Sequence, residues 1–433
     1  MDQKQRITRR GFFKKTAVAA SSALALPTII PQSALGKGGT VAPSNRVVMG
    51  AIGVGSMGQY DLRAFLEKPE VQVVAVCDVD RVHREQAKTL VDEKYRNKNC
   101  QGYLDFRELI GRGDLDAVQT TLPDHWHAIP AITAARAGLD IHGQKPFARS
   151  TKEGRAICDA VDRYDCVWQT GSQQRSDYKF YHAARLVRNG RIGKIQKIEV
   201  GLNGGKRYRP AKALPVPEHL DWDFWLGPAP WRPYGDFGRG SCHGHWRWIS
   251  DYSAGQLTDN GAHHIDIAHW GMGWDNTGPV EIEGKGTFPA DGLYDTSYSF
   301  AFTCKYRSGH VMTVGSHLAK GIKWYGEKGW IFVNRGRLAA EPVEVLKEEI
   351  GPGEIHLHRS RDHKQDFLDS IKTRQQPVAP AEVGHRSISV ALLGEIAILT
   401  GRKIRWNPDT EEIINDPGAS ALLGRSYREP WTL

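Results

Sequence analysis

The stretch Val47-Val48-Met49-Gly50-Ala51-Ile52-Gly53-Val54-Gly55-Ser56-Met57-Gly58 decides the reading of this chain. Val47 to Ile52 reads as a buried strand, and the glycines that follow have the spacing G-x-G-x-x-G at the start of a helix running through Leu66. Strand, glycine turn and helix in that order give the motif its meaning. Gly53 permits the tight turn, Gly55 lets the backbone approach a pyrophosphate, and Gly58 lets helix and strand pack closely. Ser56 and Met57 complete the cradle at the helix N-terminus, where N–H donors and positive potential favour phosphate. A second strand, Val71 to Cys77, leads to Asp78, twenty residues beyond Gly58. A carboxylate there accepts hydrogen bonds from ribose hydroxyls and repels a 2′-phosphate, so NAD is favoured, while Arg81 nearby leaves NADP open. The competing reading of Asp78 is an N-cap for the next helix.

Outward from this unit, strands at Ala117 to Thr121, Asp140 to Gly143 and Val167 to Thr170 alternate with helical patterns such as Thr151 to Tyr164. Residues 45–172 are therefore predicted as a doubly wound parallel α/β domain. Beyond Ser172 the pattern changes to period-two stretches, Lys197 to Leu202, Glu281 to Thr287, Tyr298 to Tyr306 and Val311 to Ser316, joined by connections rich in Trp, Gly and Pro. With helical segments at Asp362 to Lys372 and Val383 to Thr400, residues 173–405 read as an α+β domain on a large, mostly antiparallel open sheet. Residues 406–433 form a polar tail ending Tyr427-Arg428-Glu429-Pro430-Trp431.

Two further turns leave parallel strands where such sheets bind ligands. Pro123-Asp124-His125-Trp126-His127 enters a helix, with Asp124 as its expected N-cap; His125, Trp126 and His127 either border the cofactor or simply pack. Gly143-Gln144-Lys145-Pro146 follows the next strand, and a lysine held extended before proline aims its ammonium at the nicotinamide end. In the second domain Asp259 and His263 stand four apart at the start of a helix, one above the other. An Asp that orients a His makes a general base, although such pairs are also structural, and His264 and Asp266 compete on other faces.

The N-terminus carries a different message. Thr8-Arg9-Arg10-Gly11-Phe12-Phe13-Lys14 and the apolar run Ala17 to Ile30 are expected to form a twin-arginine export signal, cleaved near Ala34-Leu35-Gly36, that sends a folded chain to the periplasm. Residues 1–37 supply +6 of the net charge of +9, so the remainder is nearly balanced and nothing argues for nucleic acid. No membrane association is expected after cleavage. Six cysteines without C-x-x-C spacing read as free, mostly buried thiols, and no metal spacing is apparent among them. Free dinucleotide is not expected outside the inner membrane, so an exported chain should carry its cofactor with it.

The glycine loop, the Pro123 to His127 turn, Lys145-Pro146, the Asp259 to Asp266 helix start and the Tyr427 to Trp431 tail together resemble the Gfo/Idh/MocA family of sugar oxidoreductases. The resemblance implies a Rossmann domain, a second domain with a large open sheet that forms homo-oligomers, and a catalytic set mapping to Lys145, Asp259 and His263. It further implies hydride transfer from a sugar carbon to nicotinamide, His263 taking the hydroxyl proton and Lys145 holding the oxygen. One departure is Gln144, where the family usually has Glu. Three functions follow as expectations: an oxidoreductase on a sugar or glycoside, a redox-neutral NAD-dependent glycosidase, and a sugar-binding protein with an impaired site. Trp222, Trp225, Trp231, Trp246 and Trp248 are expected to serve packing or to stack on a sugar.

Overall fold

The computed structural model describes residues 41–207, 212–235 and 242–433. The export segment expected at residues 1–36 lies outside them. Residues 41–46 contain a 3-10 turn at Pro43–Asn45, and Val47–Leu433 form the body described below.

Six parallel strands, β1 (Val47–Ile52), β2 (Val71–Cys77), β3 (Gln101–Tyr103), β4 (Ala117–Thr120), β5 (Asp140–Gly143) and β6 (Trp168–Thr170), pair in the order β3-β2-β1-β4-β5-β6. The order reverses between β1 and β4, and this switch point opens a crevice at the strands' carboxyl ends. Two glycines are required there by sterics. Gly53 has φ +77°, and a Cβ on it would sit 2.2 Å from the Thr121 carbonyl oxygen. A Cβ on Gly58 would sit 2.0 Å from the Gly53 oxygen, so any side chain would push the helix Ser56–Leu66 off the sheet. Asp80 caps the next helix, Arg81–Tyr95, accepting from the N–H groups of Val82 and His83.

The second sheet has nine strands: β7 (Ile195–Gly201), β8 (Glu281–Thr287), β9 (Ser299–Lys305), β10 (Val311–Gly315), β11 (Gly321–Gly326), β12 (Gly329–Val333), β13 (Leu338–Glu341), β14 (Ile404–Asn407) and β15 (Glu412–Ile413), in the order β13-β12-β11-β7-β10-β9-β8-β14-β15. It is antiparallel except between β7 and β10. A long crossover separates those two strands and returns the chain in the same direction, where the period-two pattern alone led us to expect antiparallel neighbours. Alternate residues of β9, Phe300, Phe302 and Cys304, are buried on the side that packs against the helix Ala381–Thr400, and Ser299, Ala301, Thr303 and Lys305 alternate on the other face. Truncating one such anchor, Phe302 to Ala, would cost about 3–5 kcal/mol. Ala381–Thr400 is long and apolar enough by composition to cross a membrane, but 78% of its most apolar stretch is buried inside the body, as befits a core helix. All six cysteines are free thiols, Cys166 half-buried and the others buried.

Candidate active site

A cleft enclosing about 1160 Å³, open solvent included, lies at the carboxyl ends of β1, β2 and β4. Gly53, Gly55, Ser56, Met57, Gly58, Asp78, Pro123, Trp126, Gln144 and Lys145 all line it. The cradle suits a pyrophosphate. A Cβ at Gly55 would meet nothing nearer than the His83 ring at 3.6 Å, and no side chain caps the helix that starts at Ser56, so its N–H donors face the cleft. Asp78 ties the loop to β2, its two oxygens accepting from Val54 N and Asp80 N, each at 2.9 Å. Burial raises its pKa, while those hydrogen bonds and the neighbouring His83 act in the opposite direction. The capping role weighed for Asp78 belongs instead to Asp80.

Three expectations at the Pro123 turn need correction. Asp124 caps no helix; it opens a 3-10 turn, Asp124–Trp126, one turn ahead of the helix Ala128–Arg136, and its buried carboxylate accepts from Ser253 Oγ at 2.6 Å. His125 and His127 do not border the cleft. Both are buried, with His125 Nε2 3.1 Å from the Trp225 carbonyl and His127 Nε2 2.8 Å from the Leu122 carbonyl. Backbone carbonyls in an apolar surrounding claim these rings, which leaves Trp126 as the member of the trio on the cleft wall. Trp222, Trp225, Trp246 and Trp248 are buried and Trp231 is exposed; Trp222 and Trp225 stack with ring centres 4.9 Å apart.

At the far end of the cleft Lys145 Nζ donates to Asp259 Oδ1 at 2.5 Å and to the Asp259 carbonyl at 3.3 Å. Arg247, also on the cleft wall, approaches the same carboxylate oxygen at 3.4 Å. Burial would raise the pKa of Asp259, but these two cations hold it far below the ordinary carboxylate range. The expected stacking of Asp259 on His263 is therefore not what forms. Asp259 closes the short helix Gln256–Asp259, His263 lies in the next, Gly261–Met272, and no ion pair or hydrogen bond joins them. Two full cations outcompete a neutral imidazole for the carboxylate. His263 is itself buried and, unlike Lys145, does not line the cleft, and its Nδ1 has no hydrogen-bond partner. Burial, reinforced by Lys145 and Arg335, drives its pKa well below that of free histidine, so near neutral pH it is an uncharged imidazole. The two competitors are occupied: His264 Nδ1 is 3.0 Å from the Gly201 carbonyl, and Asp266 is clamped by the buried Arg175 at 2.8 Å.

Sequence reasoning missed the residues that support Lys145. Gln144 Nε2 donates to Asp61 Oδ2 at 2.8 Å, and its Oε1 accepts from Lys145 N at 3.1 Å. The other Asp61 oxygen accepts from Lys364 Nζ at 2.6 Å, and Lys364 also contacts His142 Nε2 at 3.0 Å. The carboxylate missing from position 144 thus stands one hydrogen bond away, on the helix Ser56–Leu66. Neither Asp61 nor Lys364 belongs to a local motif.

A cleft built from a glycine cradle, an acid at the end of β2 and a lysine at its inner end is that of an NAD-binding oxidoreductase of two domains. Residues 47–172 match the family described as "Oxidoreductase family, NAD-binding Rossmann fold", and residues 184–433 match its "C-terminal alpha/beta domain". The chain belongs to the Gfo/Idh/MocA oxidoreductase family. Among its relatives, an uncharacterized oxidoreductase of Bacillus subtilis is 21% identical across 83% of this chain and 97% of its own length. An alpha-N-acetylgalactosaminidase of Shewanella oneidensis is 30% identical, but over 36% of this chain and 37% of its own length. Two solved structures share the fold. The WlbA dehydrogenase of Bordetella pertussis, in complex with NADH and UDP-GlcNAcA, has TM-score 0.62 and 16% identity over 84% of this chain and 99% of that one. The scyllo-inositol dehydrogenase of Lactobacillus casei, with NAD(H) and scyllo-inositol, has TM-score 0.59 and 18% identity over 83% and 99%.

Proposed function

We propose that this protein is an exported oxidoreductase that exchanges hydride between a hydroxyl-bearing carbon of a sugar or glycoside and a captive NAD. The observations that support the reading are a lysine on the cleft wall ion-paired to Asp259 and, in the helix that follows Asp259, a buried, neutral histidine with an unpartnered ring nitrogen. NAD, when bound, supplies the hydride acceptor. His263 Nδ1 takes the substrate hydroxyl proton, for which its uncharged state is required. The Lys145 ammonium, fixed by Asp259, donates a hydrogen bond to the same oxygen as it becomes a carbonyl. Arg247 steadies the same Asp259 oxygen. The outward face of the second sheet, with Ala301 and Thr303 on β9, is the surface we assign to homo-oligomer contact. The chain reaches the periplasm folded, through the twin-arginine machinery, with its cofactor inside.

A redox-neutral glycosidase is the second reading, favoured by the likeness to the Shewanella oneidensis alpha-N-acetylgalactosaminidase. His263 and Lys145 would handle the hydroxyl proton and oxygen while bound NAD accepts the hydride; the aglycone would then be eliminated, water added, and the carbonyl reduced by the hydride returned from the cofactor. Incubation of the purified protein with sugars and aryl glycosides separates the two. Reduction of bound NAD by a sugar supports the oxidoreductase, and aglycone release without net reduction supports the glycosidase. Neither change, from protein that contains NAD, would overturn both.

A further inference from the structure

The outer end of the cleft gathers side chains that hydride transfer does not use. Asp80, at the start of the helix Arg81–Tyr95, His83 within it and His243 from the long connection of the second domain present ligand atoms all within 4.8 Å of one another. Asp80 Oδ2 is 2.8 Å from His243 Nε2, and the His83 and His243 rings lie with centres 4.3 Å apart. His219 Nε2 approaches the same Asp80 oxygen at 3.7 Å.

We propose that Asp80, His83 and His243 bind a divalent transition-metal ion, of which Zn²⁺ is the best match, and that the ion fastens the second domain's connection over the outer end of the NAD cleft. Carboxylate and imidazole donors are the ligands Zn²⁺ takes, at about 2.0–2.1 Å each, which puts tetrahedral ligand atoms roughly 3.3 Å apart. Asp80 Oδ2 and His243 Nε2 lie 2.8 Å apart, and the ligand atoms of all three residues lie within 4.8 Å of one another, a spread that small side-chain shifts would bring to that value. The site is also held in advance of any ion. Asp80 Oδ1 accepts from Val82 N and His83 N, which fixes the carboxylate and leaves Oδ2 for the ligand. Asp78 Oδ2 stands 4.0 Å from His83 Nδ1, an acidic neighbour of the ring though not a hydrogen-bond partner. Backbone bonds from Arg81 N to the His219 carbonyl and from Asp221 N to the Val79 carbonyl pin the connection against the same corner. Asp80 is buried, but the His83 and His243 side chains are 21% and 32% exposed, so an ion can enter. His83 and His243 line the cleft beside Asp78, hence an ion bridging them would close the exit of the dinucleotide.

The test uses the full chain, purified without a polyhistidine tag, stripped with chelator and titrated with Zn²⁺ alone against a chromogenic competitor. We expect one equivalent bound, with affinity lowered at least about 100-fold in His83→Ala and in His243→Ala, and less in His219→Ala, each variant retaining the parent's circular dichroism. In the NAD-loaded protein, Zn²⁺ should slow cofactor release at least about fivefold in the parent and not in His243→Ala. Absence of stoichiometric Zn²⁺, or equal affinity in the parent and both histidine variants, would overturn the site. Unchanged NAD release despite bound Zn²⁺ would overturn the fastening role. Because metal content is read without substrate, failure here leaves the oxidoreductase reading standing.

Discussion

Replacing Gln144 with Glu probes the buried network behind Lys145 with a single atom. The amide nitrogen that donates to Asp61 Oδ2 at 2.8 Å becomes a second carboxylate oxygen, in a site where Gln144 is 4% and Asp61 0% exposed. Lys364 already serves the other Asp61 oxygen, so it cannot neutralise both acids. The variant's cheapest escape is to bind a proton between the two carboxylates. Holding a proton at pH 7 on a carboxyl whose unfolded pKa is about 4.3 costs about 3.7 kcal/mol, and at pH 5 about 1 kcal/mol. The folded variant then binds one more proton than the unfolded chain, so its deficit against the parent grows as pH rises above about 4.3. Urea unfolding of both proteins at pH 5 and pH 7 measures this. We expect Gln144→Glu to lose about 3–4 kcal/mol at pH 7 and about 1 kcal/mol at pH 5, and the double variant Asp61→Asn, Gln144→Glu to recover most of the loss. A deficit below about 1 kcal/mol at pH 7, unchanged at pH 5, would refute the pairing.

Other consequences are as direct. Asp78→Ala removes an anchor of the glycine loop and the charge facing the ribose, so NAD affinity should fall by about 1.5–3 kcal/mol and discrimination against NADP should narrow; binding titrations with both dinucleotides read it. His264, His269 and His363 are buried, and burial lowers each pKa to about 4. Such groups bind fewer protons folded than unfolded, so stability complete above about pH 6.5 is lost as pH falls toward 4, up to about 3 kcal/mol for each; urea midpoints that stay flat from pH 7 to 4.5 would contradict this. Protein isolated from the periplasm should release close to one equivalent of NAD(H) on denaturation, measured by chromatography, and empty protein that cannot bind added dinucleotide would count against a captive cofactor.

The cofactor half was largely legible because its constraints are local. β1, β2 and β5 fall where the apolar runs and glycine turns put them, since Gly53 and Gly58 admit no other residue without a backbone clash. The substrate half obeys contacts with no period. Asp259 turned to Lys145, 114 residues away, because the cation outweighs the neighbour four positions on, and Lys364 reaches Asp61 across 303 residues. Asp124 misled because the apolar pattern does not distinguish a 3-10 turn from the first turn of an α-helix. Gln144, taken alone, weakens the case for turnover; beside Asp61 it is an amide bonded through both its nitrogen and its oxygen, and it holds Lys145 N.

The central claim is that hydride passes between a sugar carbon and bound NAD under the control of Lys145 and His263. Its most direct test is to incubate the loaded protein with sugars and glycosides deuterated at their carbinol carbons, then extract the cofactor and weigh the nicotinamide by mass spectrometry. The account predicts deuterium on the nicotinamide in the parent, with labelling slowed about 10²–10⁴-fold in His263→Ala and Lys145→Ala while NAD content stays intact. No label from any carbohydrate offered, or the same labelling rate in both variants, would contradict it.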